Sequence, residues 1–302
     1  HQQAIIGTLN QGVWVYRQGL LSQFRKAAGE NGSLVDDQVT SVAGDFEATY
    51  VGTPLGVTEI RNGKVSRNFA QGLAVRSLAT AAKLVAATDR GLVIFNTSAT
   101  AQPGLEASRS GKLSRQPTDH LRTAPTDINR LIPMLGGWLA LADSGLHWTD
   151  SLEHGVWSRF GNSSSDQSGA DRSGAFELSD SNISALAFDS SQNLWVGYFD
   201  RGLDVFDSQG RLLIHQEDDR IFCVNHVKPL GDGQTVVSTA NGLAIYHGTG
   251  LQYFITEKEG VTDNAVAMTH TFGETTGRWL AATAEGVSLF EGNRPSQNLF
   301  VL

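Results

Sequence analysis

Polar side chains that could bind a ligand recur at two kinds of position along this chain. The first kind lies within two residues before a glycine that opens an apolar run, and the second directly precedes a different apolar phrase. Carboxylates, amides and guanidinium groups can hydrogen-bond a ligand, and grouped carboxylate oxygens can hold calcium. The first kind comprises Asn10, Gln11, Asp89, Arg90, Asp143, Asp200, Arg201, Asn241 and Glu285. The second comprises Asp37, Gln38, Asp127, Asn182, Asp219, Arg220, Asp263 and Asn264.

Complete catalytic motifs are absent from the sequence. It contains no Gly-x-Ser-x-Gly elbow, no His-Glu-x-x-His and no phosphate-binding loop. His226 and His270 each follow, by five residues, the predicted start of an inner strand, Ile221 and Ala265 respectively. Paired imidazoles at one height could bind a transition metal. The alternative is that the two histidines are ordinary polar side chains in the packing of the blades. Because the sequence shows no third ligand, neither a metal nor a cofactor is predicted.

The elements that position these side chains follow from a repeat. One phrase occurs seven times: a β-rich run, a short polar turn, then Gly-Val or Gly-Leu and an apolar strand. The copies read IIGTLNQGVWVY, YVGTPLGVTEI, LVAATDRGLVIF, WLALADSGLHW, WVGYFDRGLDVF, TVVSTANGLAIY and WLAATAEGVSLF. Their anchoring glycines are Gly12, Gly56, Gly91, Gly145, Gly202, Gly242 and Gly286. A regular period of about forty residues indicates a repeat architecture.

A second phrase precedes six of the glycines and consists of two apolar residues separated by two variable ones. Its copies start at Val39, Val75, Ile128, Ile183, Ile221 and Ala265. The fifth repeat shows the whole unit as four strands, ISALAFD, NLWVGY, LDVFD and RLLIHQ. Four antiparallel strands repeated radially form a propeller. The sequence therefore predicts an all-β fold, a seven-bladed β-propeller of four-stranded antiparallel blades, with residues 1–302 as a single domain.

Composition excludes several classes of protein. The 302 residues carry a formal net charge of −8 with a pI of about 5.4, which leaves no basic footprint for nucleic acid. No apolar run approaches the roughly 20 residues that span a bilayer. The single cysteine, Cys223, cannot form an intrachain disulfide.

The fifth repeat resembles the two-component regulator propeller repeat, which has an acidic turn, then Asn-Leu-Trp-Ile-Gly-Thr and a Gly-Gly-Leu. Asp189 and the run Asn193, Leu194, Trp195, Val196 and Gly197 match that pattern, and VTSVAGD at Val39 matches its start. Trp138 and Trp279 take the tryptophan position in their repeats, and Tyr50 takes it in the second. The resemblance implies structural roles for these residues. It also implies an extracytoplasmic sensor part of a hybrid histidine kinase or a free-standing secreted protein, hence a periplasmic or extracellular location.

Two functions remain open at this point. The first is a non-catalytic ligand- or protein-binding propeller, sensor-like or secreted, which recognises a glycan, peptide or protein on its loop face. In a propeller the loops between second and third strands lie at the same end as the connections between blades, so the two kinds of polar position should meet there. Turn formation by Asp and Asn is the competing explanation for any one of them. The second function is a propeller hydrolase or lyase with a metal-assisted site at the central axis.

The chain departs from its period in three places. Residues 97–126 and 161–181 are predicted to be insertions, and the second would lie on the loop face as a lid or a tolerated loop. The first repeat begins at AIIGT, already its second strand, and the carboxyl end, QNLFVL, should be the outer strand of the seventh blade. We therefore expect the inner strand of the first blade to come from outside this chain, from other domains of a longer protein or from a neighbour.

Overall fold

The structure is a computed structural model that describes residues 3–17, 20–27, 32–44, 47–81, 83–95, 124–134, 136–159, 177–272 and 277–301. The fold is a seven-bladed β-propeller of antiparallel sheets, as the repeats predict. In these ranges helix is confined to one 3₁₀ turn, Glu257–Glu259. None of their helices is long and apolar enough to cross a membrane.

Blades one to four come from the first half of the chain. Their strands are β1 (Gln3–Gly7), β2 (Val13–Arg17), β3 (Leu20–Phe24), β4 (Ser41–Gly44), β5 (Ala48–Thr53), β6 (Gly56–Arg61), β7 (Lys64–Phe69), β8 (Val75–Thr80), β9 (Leu84–Thr88), β10 (Gly91–Phe95), β11 (Ile128–Met134), β12 (Gly137–Ala142), β13 (Gly145–Thr149) and β14 (Ser158–Arg159). The four sheets are β1-β2-β3, β4-β5-β6-β7, β8-β9-β10 and β11-β12-β13-β14.

Blades five to seven come from the second half. Their strands are β15 (Ile183–Phe188), β16 (Leu194–Tyr198), β17 (Leu203–Phe206), β18 (Leu212–Gln216), β19 (His226–Pro229), β20 (Gln234–Thr239), β21 (Gly242–His247), β22 (Gly250–Ile255), β23 (Val266–Thr271), β24 (Arg278–Thr283), β25 (Gly286–Glu291) and β26 (Arg294–Val301). Each sheet has four strands in chain order. The four strands predicted for the fifth repeat and the outer strand predicted at the carboxyl end are confirmed.

The chain divides into two compact units. We call residues 5–160 the first unit and residues 161–302, which cluster with residues 1–4, the second unit. The prediction that all 302 residues form a single domain stays a prediction. In the first blade, the described residues provide no strand on the inner side of β1. This agrees with the repeat spacing, and the source of such a strand also stays a prediction.

The glycine phrase builds the turn into the third strand of every blade. Gly12 and Gly202 have φ of +73° and +70°, and a Cβ on either would overlap a carbonyl oxygen of the outer strand, so only glycine fits there. In four blades a threonine closes the turn, because its hydroxyl donates to the glycine carbonyl and accepts an N–H two residues on. These threonines are Thr53, Thr88, Thr239 and Thr283.

Large aromatic side chains pack between neighbouring blades of the second unit. Trp195 is fully buried, and its ring meets Tyr246 of the sixth blade edge-on with centroids 5.2 Å apart. The indole N–H donates to Asp189 Oδ2 at 3.0 Å, so its one polar atom is satisfied. Trp279 stacks on Phe290 of its own blade with centroids 3.9 Å apart, and the pair packs in one cluster with buried apolar residues of the sixth blade. The structural role predicted for Trp195 and Trp279 is therefore confirmed.

The predicted start of the sixth inner strand is wrong. Ile221 lies in the connection between blades, and β19 begins five residues later at His226. Ile221 and Val224 are fully buried, but the backbone turns between them, with Cys223 at φ +53°. The apolar spacing in this repeat therefore reflects a packed turn rather than a strand.

The two predicted insertions are mostly outside the described residues. Of the first, residues 97–123 are not described, and of the second, residues 161–176 are not described. Both insertions, and the lid suggested for the second, stay predictions.

Candidate functional site

The loop face of each unit is the end where loops between second and third strands meet the connections between blades. In the second unit this face carries Asp200, Arg201, Asp219, Arg220, Asn241, Asn264 and Glu285, and in the first unit it carries Asn10, Gln11, Asp89, Arg90 and Asp143. The Asn241 amide donates to the Asp219 carbonyl at 3.0 Å, which joins a loop to a connection as predicted. That the polar side chains of all seven blades form a single ring on the loop face stays a prediction.

Four of these side chains hold the loops and connections of the loop face in place. Asp89 Oδ1 accepts the Ala74 N–H at 2.9 Å, and Asn264 Oδ1 accepts the Glu257 N–H at 2.9 Å. Asp143 accepts the Asn129 amide at 2.7 Å. With Asn241, these contacts are what short polar residues commonly make in loops. Their exposed polar character therefore has a structural cause.

Both arginines on the loop face of the second unit already have acidic partners. Arg220 donates to Asp218 through Nε at 3.0 Å and Nη2 at 2.7 Å, and its guanidinium lies 4.3 Å from the centre of the Phe254 ring. The hydrogen bond from Arg220 is the main cause that lowers the pKa of Asp218. Arg201 Nε lies 3.8 Å from Asp180 Oδ2. The charges of these two arginines are therefore balanced within the unit.

Eight predicted side chains have no hydrogen bond or ion pair to any residue that the structure describes. Those of the first unit are Asn10, Gln11, Gln38 and Arg90, and those of the second are Asn182, Asp200, Asp219 and Glu285. In the second unit three of the four are carboxylates and the fourth is a neutral amide. Negative charge therefore predominates among these available side chains of the second unit.

Two exposed phenylalanines lie among these polar residues. Phe199 and Phe222 are 47% and 45% exposed, and their ring centroids are 6.5 Å apart. The Cys223 N–H donates to the Phe199 carbonyl at 3.0 Å, which ties the two segments together. We call Phe199, Phe222 and Asp200 the aromatic patch. Sequence reasoning missed it, although a phenylalanine inside the polar turn of WVGYFDRG was a visible signal.

Cys223 follows Phe222 of the aromatic patch in the sequence and is partly buried. Burial, with the charge of Asp200 as a smaller cause, raises the pKa of its thiol. Its Sγ lies 3.7 Å from Asn225 Oδ1. A thiol whose pKa is raised stays protonated and is a poor nucleophile at neutral pH.

His226 and His270 do not occupy equivalent positions, so that part of the metal hypothesis is wrong. His226 is the first residue of β19, whereas His270 is the fifth of β23. His226 Nδ1 lies 3.4 Å from Thr269 Oγ1. His270 is partly accessible to solvent, but desolvation by the protein atoms around its ring lowers its pKa to about 4. The charge of Lys228 is the smaller cause. No group of three or more potential metal ligands occurs among the described residues.

A serine, a histidine and an aspartate meet at the third strand of the fifth blade. Asp204 is fully buried and accepts from Tyr198 Oη at 2.5 Å, from Ser179 Oγ at 2.9 Å and from the Ser179 N–H at 3.0 Å. His215 Nδ1 lies 2.6 Å from Asp204 Oδ1 and 3.0 Å from Ser179 Oγ. A catalytic triad needs the serine and the carboxylate on opposite nitrogens of the imidazole. Because the Ser179 hydroxyl and the Asp204 carboxylate both contact Nδ1 of His215 here, the cluster lacks the geometry for nucleophilic catalysis.

The position of Asp204 explains the cluster as an anchor. Thr58 and Ser288 also lie two residues after their blade's glycine, and each accepts an N–H from the preceding connection at 3.1 Å. Asp204 likewise accepts the N–H of Ser179 from the preceding connection, and its carboxylate also accepts the Tyr198 hydroxyl. Burial and the Asp204 hydrogen bond raise the pKa of Tyr198 far above its usual range, so the phenol remains a donor. The anchored connection leads to Asn182, whose carbonyl accepts the Phe199 N–H at 3.1 Å.

Solved structures show the same fold at low sequence identity. The extracellular domain of a putative hybrid two-component system from B. thetaiotaomicron matches with a TM-score of 0.60 and 16% identity, over 95% of this chain and 43% of that one. PorZ, a surface component of the type-IX secretion system of Porphyromonas gingivalis, matches with a TM-score of 0.68 and 16% identity, over 96% of this chain and 45% of that one. BBS1N, solved in complex with ARL6DN, matches with a TM-score of 0.63 and 14% identity, over 99% and 89% of the two chains.

The sequence comparisons give no relative. No protein-family model matches the chain, and no curated protein matches it. The chain spans a little under half the length of the first two solved chains above. At identities of this size the likeness concerns the fold alone.

Proposed function

We propose that this chain is a non-catalytic recognition domain that binds its ligand on the loop face, in a sensor or a secreted protein outside the cytoplasm. The observation that carries the proposal is the aromatic patch, in which two half-exposed phenyl rings lie 6.5 Å apart and the residue after Phe199 is Asp200, a carboxylate without a partner among the described residues. Exposed apolar side chains that cluster with unused polar groups mark interaction sites on loops held by a rigid scaffold. Turn formation does not require phenyl rings at these positions.

The non-catalytic part of the proposal draws support from the groups that could have performed chemistry. Asp204 anchors a connection, and its histidine and serine neighbours share one imidazole nitrogen. The Cys223 thiol has a raised pKa. Lys228 lies close enough to His270 to lower its pKa, and the same charge repels a metal cation. Each group is better suited to stability than to nucleophilic or metal-assisted catalysis.

The extracytoplasmic and sensor-like part rests on the repeats and on the structural neighbours. The fifth repeat resembles two-component regulator propeller repeats. One neighbour is the extracellular domain of a putative hybrid two-component system, and another is a bacterial surface component. Membership of this sensor group and the location outside the cytoplasm are therefore part of the proposal. Its ligand would be a glycan, a peptide or a protein.

Thermal stabilisation by candidate ligands tests the proposal, because a compound that binds only the folded state raises its Tm. We expect a member of a panel of oligosaccharides and peptides to raise the Tm of the chain. A double variant, Asp200→Lys with Arg201→Glu, should abolish that shift and leave the Tm without ligand unchanged. Lys64→Glu, in the hairpin at the other end of the second blade, is the control for a charge reversal away from the loop face. Stoichiometric bound metal with turnover of a panel member would contradict the proposal.

A further inference from the structure

Three arginines among the described residues share one arrangement, in which a guanidinium lies over a phenyl ring and also contacts a carboxylate. Arg220 lies 4.3 Å from the Phe254 centroid and 2.7 Å from Asp218. Two further sets have the same composition. They are Arg67 with Phe69 at 5.1 Å and Glu59 at 2.6 Å, and Arg278 with Phe272 at 5.8 Å and Glu291 at 3.4 Å.

The arrangement suits a guanidinium for a physical reason. The face of a phenyl ring attracts a cation through its quadrupole, and the planar guanidinium can stack on it while its N–H groups still reach a carboxylate. An ammonium is a compact and strongly hydrated charge, so it makes the two contacts together less readily. In each of the three sets the cation is an arginine.

The aromatic patch has the ring and the carboxylate of such a set but no cation from the described residues. Asp200 directly follows Phe199 in the sequence, and the rings of Phe199 and Phe222 lie 6.5 Å apart. Arg201 is paired with Asp180, and Arg220 with Asp218 and Phe254. The two arginines predicted for this face are therefore engaged elsewhere.

We propose that the aromatic patch binds an arginine side chain from a basic segment of a protein partner. This inference rests on the proposed function, since it names the partner chemistry for the same loop face. Asp219 and Glu285 add two more carboxylates without partners among the described residues of the second unit, and the chain carries a net charge of −8. A cationic segment is complementary to this surface, whereas an anionic ligand would be repelled.

The size of each contact explains why a segment is needed. A cation–π contact at an exposed site contributes about 0.5–1 kcal/mol, and an exposed ion pair about 0.2–1 kcal/mol. A free guanidinium compound would therefore bind very weakly. A basic segment of a protein can place further cations near Asp219 and Glu285, and the linked contacts then reinforce one another.

Peptide titration of the whole chain tests the proposal. The probe is acetyl-tetraarginine-amide, and the control is the same peptide with citrulline, which keeps the shape of arginine but is neutral. Binding is followed by backbone amide chemical shifts at low salt. We expect the arginine peptide to shift the signals of Phe199, Asp200, Phe222 and Cys223, and the citrulline peptide to leave them unchanged. Equal binding of the two peptides, or shifts elsewhere only, would overturn the proposal.

Matched variants separate the patch from general acidity. Asp200→Asn and Phe222→Leu should each weaken binding of the arginine peptide by about 2- to 5-fold, since leucine keeps apolar bulk but has no π face. Asp232→Asn, in the turn between β19 and β20, and Tyr253→Leu, on β22, should change it by less than about 1.5-fold. If the control substitutions weaken binding as much as the patch substitutions, the proposal is wrong.

The two experiments distinguish failure of the arginine proposal from failure of the proposed function. If the arginine peptide does not bind, but a panel ligand raises the Tm and the Asp200→Lys, Arg201→Glu variant abolishes that rise, only the arginine proposal fails. If neither the arginine peptide nor any panel ligand depends on the loop face, the proposed function and the arginine proposal fail together.

Discussion

Two aspartates of the fifth blade, four residues apart in the sequence, have opposite environments. Asp204 is fully buried and accepts hydrogen bonds from Tyr198 and Ser179, whereas Asp200 is exposed and contacts no described donor. The same residue type is thus a structural anchor in one place and an available ligand group in the other. Residue type alone does not separate the two roles, because burial and partners decide them.

The largest expected effect is on the core that supports both aspartates. Trp195→Ala removes a fully buried ring that packs on Tyr246, so the free energy of unfolding should fall by about 3–5 kcal/mol. Urea denaturation measures it. Phe199→Ala, which truncates a half-exposed ring, should cost much less, and a comparable loss would mean that Phe199 is part of the core.

Asp204→Asn is expected to have the next largest effect. The substitution keeps the shape of the side chain but removes the charge that accepts several hydrogen bonds, at a cost of about 2–3 kcal/mol in unfolding free energy. Ser288→Ala, at the corresponding position of the seventh blade, removes one neutral hydrogen bond and should cost about 1 kcal/mol. Equal losses in the two variants would argue against a special role for the buried charge.

A second buried carboxylate, Glu59 in the first unit, sharpens the comparison because its partners are cations. Arg61 and Arg67 both hydrogen-bond its carboxylate. Burial by itself raises the pKa of Glu59, but the two arginines outweigh it, so its pKa lies below the ordinary 4.5. Stability from Glu59 is therefore fully present above that value and is lost as the pH falls through the folded-state pKa.

The expected result is a difference in acid sensitivity. Thermal melts between pH 7 and pH 3 should show that the wild-type chain loses more stability on acidification than Glu59→Gln, which cannot titrate at this position. Parallel curves for the two proteins would mean that Glu59 does not contribute to the pH dependence.

Much of the fold, and less of the site, follows from the sequence. The glycine phrase identifies the third strand of each blade because a positive φ and close contact with a neighbouring carbonyl admit only glycine at positions such as Gly202. Trp195 is recognisable because a large ring recurs at one position of the repeat. The start of β19 was not predictable in this way, since the buried pair Ile221 and Val224 has the same spacing in a turn as in a strand.

The functional side chains are harder to identify because polar loops all look alike in a sequence. Asp89 and Asp200 both lie two residues before a glycine, but Asp89 accepts an N–H from Ala74 and Asp200 has no such donor. The role of Asp204 was hidden because its partner Ser179 is 25 residues earlier in the chain. Pairings of this kind depend on the three-dimensional arrangement of connection and blade.

The comparison of Asp200 with Asp204 also gives the most direct test of the central claim, that the loop face binds and the blade interior only stabilises. Tm and ligand-induced Tm shift are measured together for Asp200→Lys with Arg201→Glu and for Asp204→Asn. We predict that the first variant keeps its Tm and loses the ligand shift, and that the second has a lower Tm and keeps the shift. Loss of both quantities in the first variant would contradict the account, because the loop residues would then be structural.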